Sequence, residues 1–163
     1  VRRNDLTVTV LFVEDDPDLR DVIAYELDLA GFKVLTAGTG EEALEILRER
    51  PGAVDWLFTD IRLPGLIDGW RVADEFRFTY PLRPVIFATG AAQERSRDMI
   101  ESLFMRKPYR ASEIVSAFHV LREGWFSCGD DVEALRHIKQ RPLGPKLSWA
   151  PPGEEPAVAG WKA

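Results

Sequence analysis

Residues 7–13, TVTVLFV, form an apolar run that ends on three carboxylates, Glu14, Asp15 and Asp16, ahead of Pro17. Like charges held close together repel, which raises the pKa of at least one of them. Solvent, a cation or a separation imposed by the fold must compensate. A second run, AVDWLFTD (53–60), ends on Asp60. A third, VIFAT (85–89), ends on the hydroxyl of Thr89, and a fourth, SLFMRK (102–107), on the ammonium of Lys107. Carboxylate oxygens converging from separate strands suit a hard cation. Mg²⁺ takes one or two protein carboxylates, keeps several waters and accepts phosphate oxygens, and beside such an ion the acids need not be protonated. Asp60 is then a candidate nucleophile, because carboxylates form aspartyl-phosphates and phosphoryl transfer asks mainly for positioning and charge neutralisation. Lys107 supplies a point charge and donors for a phosphoryl oxygen, and Thr89 a hydroxyl. Taken singly, each of these residues reads as a loop acid, a cap or a surface charge. Their order and placement make them a set.

The elements that must position this set alternate along the chain. The first strand spans 7–13. Asp16 is an acceptor at a helix N-cap and Pro17 suits the first helical position; Leu19, Val22, Ile23, Leu27 and Ala30 are expected on one face, and Gly31 stops that helix. FKVLTA (32–37) reads as a second strand. A helix from Gly40 turns Ala43, Leu44 and Leu47 inward and ends at Pro51-Gly52. The third strand is 53–60, followed by the loop IRLPGLIDG (61–69) and a helix starting WRVADEFRF (70–78). The fourth strand is 85–89, residues 91–101 read as a short helix, and the fifth strand is 102–107. A last helix, 111–123, carries Ile114, Phe118 and Leu121 on one face. Alternation of this kind implies a parallel sheet with helices on both faces, and ligands of such folds sit outside the carboxyl ends of the strands. From residue 123 the texture changes. A short helix over 130–140 is expected, then a Pro/Gly-rich segment read as a flexible tail, with the docking of Trp149 or Trp161 as the sharper alternative.

Composition narrows the function classes. The net charge of −6 argues against an electrostatic nucleic-acid surface. One cysteine, Cys128, precludes an intrachain disulfide and fits a reducing, cytoplasmic setting. No apolar stretch has the length of a membrane span, and VRRNDLTV lacks the apolar segment of a signal peptide.

VLFVEDDP, LFTDIRLPG, FATG and FMRKPY together resemble the receiver domain of two-component response regulators, over residues 6–122, leaving 123–163 as a C-terminal extension. The resemblance implies a (βα)5, flavodoxin-like fold, a doubly wound five-stranded parallel sheet in the order 2-1-3-4-5. It implies Asp60 as phospho-acceptor. Mg²⁺ would be held by Asp15 and Asp60 directly, by Glu14 through water and by the backbone carbonyl of Arg62. Thr89 and Lys107 would contact the phosphoryl group, with Thr89 and Phe104 as the switch pair. It implies a histidine kinase or histidine phosphotransfer protein as donor. Three features depart from the family pattern: Thr89 and Lys107 are only eighteen positions apart, about one helical turn short, the glycine-acidic turn before the fifth strand is missing, and PGLIDGW carries one residue more than the common spacing.

The leading reading is a single-domain response regulator that signals through protein–protein contacts to an unknown downstream target, and not a conventional enzyme. No basic recognition helix for DNA is visible. A homodimer, with the tail as an arm onto a second subunit, stays open. A Mg²⁺-dependent aspartyl phosphatase would pair its nucleophile with a second acid two residues on, where this chain has Arg62. A phosphorylation-independent adaptor is the third reading. The lone G-x-G of AGTGEE lacks the rest of a nucleotide loop and reads as a helix start.

Overall fold

Val, Ile, Leu and Phe dominate the strand-forming runs on both alternating faces, which is the pattern of a parallel sheet covered on both sides. The computed structural model describes residues 7–90, 102–128 and 147–150. Its elements follow in the order β1 (Thr9–Val13), α1 (Pro17–Leu29), β2 (Lys33–Ala37), α2 (Gly40–Glu49), β3 (Trp56–Asp60), α3 (Gly69–Thr79), β4 (Val85–Thr89), β5 (Ser102–Arg106), α4 (Ala111–Cys128) and β6 (Leu147–Ala150). The first five strands are parallel and stand in the expected order 2-1-3-4-5. The helices expected at 91–101 and 130–140 lie outside the described residues. No helix among the described residues is long and apolar enough to cross a membrane.

Strand alternation divides the core into two layers. Val10, Phe12, Trp56, Phe58, Ile86, Ala88, Leu103 and Met105 face one side, where Ile23 and Leu27 of α1 and Ile114, Phe118 and Leu121 of α4 pack on them. Leu11, Val13, Leu57, Val85, Phe87 and Phe104 face the other, beneath Ala43 of α2 and Trp70, Val72, Ala73 and Phe76 of α3. Phe118 sits edge-on to Phe32, Trp56 and Phe58, locking α4 to the sheet through aromatic contacts.

Two expectations are corrected. Val22 does not join the inward face of α1; it is 55 % exposed and lines up with exposed Tyr25 and Leu29. A helix of this length offers more apolar circumference than the sheet covers, and Ile23 and Leu27 take the contact. The tail is not wholly apart from the sheet either. Leu147–Ala150 pairs antiparallel with β5, Ser102 opposite Ala150 and Met105 opposite Leu147, making a sixth strand. The reason is that β5 would otherwise end the sheet with a free edge, which attracts any extended segment within reach.

Candidate functional site: an acidic cluster at the ends of β1 and β3

β1 lies between β2 and β3, so the chain reverses its direction of winding there, and a crevice opens at the carboxyl ends of β1 and β3. The three acids that follow β1 have different environments. Asp16 is the exposed N-cap of α1, accepting from the backbone N–H of Asp18 and Leu19 at 3.0 and 3.1 Å. Asp15 is exposed and Glu14 buried. Arg20, one turn into α1, donates to the Glu14 carbonyl at 2.8 Å and pins the turn. Ladder bonding continues past the strand, because the Glu14 N–H donates to the Ala37 carbonyl at 3.1 Å.

Register fixes which face the chemistry takes. Phe12 stands opposite Phe58, Asp60 opposite Ala88, and Ala88 opposite Met105. Counting by twos, Glu14, Asp60 and Lys107 share the α1/α4 face. Carboxylate oxygens of Glu14, Asp15 and Asp60 all lie within 4.8 Å of one another. Lys107 closes the group, its Nζ donating to Glu14 Oε2 at 3.1 Å and to Asp60 Oδ2. The Lys107 N–H donates to the Thr89 carbonyl at 2.8 Å, tying the end of β5 to the end of β4. Asp60 Oδ1 accepts from the Arg62 N–H at 3.0 Å, which orients the carboxylate.

Glycine permits the close packing behind Asp60. A Cβ on Gly69 would lie 2.0 Å from the Asp60 carbonyl oxygen, so only glycine lets α3 start this close to the end of β3. The Gly69 N–H donates to the Ile61 carbonyl at 3.0 Å, and Asp68 caps α3 by accepting from the Arg71 N–H at 2.8 Å.

Burial raises the pKa of Glu14 above its ordinary 4.5, against the opposing pull of Lys107. For Lys107 burial alone would lower the value, but the hydrogen bond and charge of Asp60, with those of Glu14, outweigh it and raise the value above 10.5. The ammonium thus serves as the counter-charge that the crowded carboxylates require.

Thr89 and Phe104 take the other alternation, with Phe87. Thr89 is buried at the end of β4. Phe104 is 5.5 Å from Phe87 and 6.3 Å from Trp70, ring centre to ring centre. Two participants escaped the sequence reading. Gly69 was legible only as a turn residue of IDGW, and Tyr109 only as the neighbour of the Lys107-Pro108 pair. Tyr109 packs against Phe58 at 6.2 Å on the same face as the acids. Burial, then the charges of Glu14 and Asp60, push its phenol pKa far upward, so it stays protonated.

An oxygen-only donor set with two buried acids, Glu14 and Asp60, and one exposed carboxylate, Asp15, fits Mg²⁺ by its chemistry.

The response regulator receiver domain profile matches residues 10–119, and the chain belongs to that family. Receiver domains are the phospho-accepting modules of two-component systems. Among curated proteins, the sensor kinase CckA of Brucella abortus is 31 % identical over 72 % of this chain, which spans only 13 % of that kinase. The transcriptional regulatory protein CpxR of Klebsiella pneumoniae is 31 % identical over 77 % of this chain and 54 % of its own length. A response regulator receiver protein from Sinorhizobium medicae has a solved structure that superposes with a TM-score of 0.65 at 30 % identity, covering 72 % of this chain and 95 % of that one. The receiver domain of the hybrid histidine kinase CckA gives 0.58 at 33 %, covering 68 % and 95 %.

Proposed function

We propose that this chain accepts a phosphoryl group on Asp60 from a histidine kinase or histidine phosphotransfer protein, in a Mg²⁺-dependent reaction, and signals through protein contacts. The observation that carries the reading is the convergence of Glu14, Asp15 and Asp60 within 4.8 Å, with Lys107 bonded to two of the three. Asp15 and Asp60 would hold Mg²⁺ directly, Glu14 through water, and the Arg62 carbonyl would complete the protein's share. When bound, the ion would neutralise charge on the transferring phosphoryl oxygens.

The chain's own residues do the rest. Asp60 Oδ2 attacks phosphorus as the P–N bond to the donor imidazole breaks, and the P–O bond of an aspartyl-phosphate forms. The Arg62 N–H holds Oδ1 so that the other oxygen presents itself. Lys107, already at Asp60, turns to a phosphoryl oxygen, and the Thr89 hydroxyl donates to another. Thr89 and Phe104 share one alternation with Phe87, on the side where Trp70 of α3 packs, so an inward move of Thr89 opens room for Phe104 to follow. That is a population shift driven by the new charge. The exposed row Val22, Tyr25 and Leu29 on α1, the helix that follows the acidic turn, is apolar surface suited to a helical donor protein.

The test is binding of beryllofluoride, a phosphoryl mimic, with Mg²⁺, followed by tryptophan fluorescence. A saturable change that disappears in Asp60→Asn, with EDTA and in Trp70→Phe supports both the site and its link to the Phe104 layer. No change under any condition refutes the reading.

A further inference from the structure

Among the described residues, two buried side-chain polar atoms have no hydrogen-bond partner, Trp56 Nε1 and Tyr109 Oη. Trp56 opens β3, at the strand end away from the acids, packed against Phe32 and Phe118. Tyr109 belongs with the site: it lies two residues past Lys107 and its ring packs on Phe58, on the face that Glu14 and Asp60 share. A buried hydroxyl left without a partner costs stability, and in native proteins such a group asks for an explanation.

Glu14 faces the converse problem. It is 1 % exposed, and its carboxylate accepts from Lys107 Nζ at 3.1 Å and from the Asp16 N–H at 3.3 Å. If Lys107 turns to a phosphoryl group, Glu14 loses the shorter of these bonds while it stays buried. A buried carboxylate that loses a charged donor needs another.

We infer that Tyr109 is a positioning residue for Glu14: its hydroxyl donates to the Glu14 carboxylate once Lys107 leaves for the phosphoryl group on Asp60. The inference rests on the receiver reading above. The donor lies on the same segment as the lysine it replaces. In the resting protein the lysine holds Glu14 and the phenol waits unpaired. In the loaded protein the phenol keeps Glu14 oriented toward the metal's water shell.

Tyr109→Phe removes the hydroxyl and keeps the ring. Without metal its melting temperature should equal or exceed that of the wild type, because an unpaired buried donor is gone. With Mg²⁺, its affinity for beryllofluoride should fall about three- to tenfold, the worth of one such hydrogen bond. In a Glu14→Gln background the same substitution should cause no comparable further loss, since both act through one contact. A lower metal-free melting temperature would mean that the hydroxyl is structural and would overturn the inference. So would unchanged beryllofluoride affinity, or an undiminished loss in the Glu14→Gln background. Wild-type protein that itself fails to bind beryllofluoride with Mg²⁺ overturns the receiver reading and this inference together.

Discussion

Replacing Lys107 with methionine separates two roles that one ammonium plays. The substitution keeps an unbranched side chain, one atom shorter, and deletes the charge. Glu14 and Asp60 are buried, and Lys107 bonds to both. Removing one partner of a fully buried ion pair costs about 3–5 kcal/mol. The lysine side chain retains 26 % exposure, so water takes up part of the loss and about 2–3 kcal/mol is expected. For a chain of this size that is a drop in melting temperature of about 4–12 °C without metal. Affinity for Mg²⁺ should move the other way. The ammonium and the cation compete for the same carboxylate oxygens, so Lys107→Met should bind Mg²⁺ about tenfold more tightly, given the worth of one charged hydrogen bond released. Metal at about a hundred times its dissociation constant adds about 2.7 kcal/mol and should restore most of the lost stability. Beryllofluoride affinity should still fall, because a donor to the phosphoryl group is missing. Differential scanning fluorimetry with a Mg²⁺ titration reads the first two effects, and isothermal titration the affinities. A variant as stable as wild type that binds Mg²⁺ more weakly would refute this account of Lys107.

Four further outcomes follow from the site and its surroundings. Burial holds the folded pKa of Glu14 above 4.5, so the metal-free fold should lose stability as pH rises from 4.5 through that raised value, while Mg²⁺ binding should weaken over the same interval as pH falls and should release protons measurable by titration in buffers of different ionisation enthalpy. Lys107 acts at the other end: its value is raised above 10.5, so its contribution is present below 10.5 and is lost as pH rises through the folded value. Gly69→Ala would place a methyl group 2.0 Å from the Asp60 carbonyl oxygen; with backbone on the other side of the clash, a loss of about 1–3 kcal/mol is expected in urea denaturation, together with weaker beryllofluoride binding. Deleting the chain from residue 147 onward should uncover the outer edge of β5 and produce concentration-dependent association in light scattering; unchanged mass at every concentration would count against an edge-covering role for β6.

Much of this was legible because chemistry and periodicity coincide at strand ends. A parallel strand announces itself by an unbroken apolar run, and the residue that stops the run lies on the functional rim. Glu14, Asp60, Thr89 and Lys107 were readable for that reason, and Asp16 with Pro17 was readable as a helix start because capping is local. What stayed hidden depended on contacts distant in sequence. Glu14 and Asp15 look alike in the sequence, and only the pairing of β1 with β2 and β3 buries one and exposes the other. Val22 belongs to a wide apolar arc whose covered part is set by where the sheet lies. Leu147–Ala150 has too short and mixed a pattern to read as a strand without the edge of β5 to receive it. Gly69 looks like any turn glycine until α3 is seen against the Asp60 carbonyl. Tyr109 is an aromatic next to proline until its ring is found on the face that the acids share, with its buried hydroxyl unpartnered.

The central claim is that Asp60 takes a phosphoryl group in a site that needs a divalent cation. It is met most directly by the intact mass of the full chain after incubation with acetyl phosphate and Mg²⁺. The account predicts the gain of one phosphoryl group in the wild type, none in Asp60→Asn, and none with EDTA. A gain that persists in Asp60→Asn, or that is indifferent to EDTA, would contradict it.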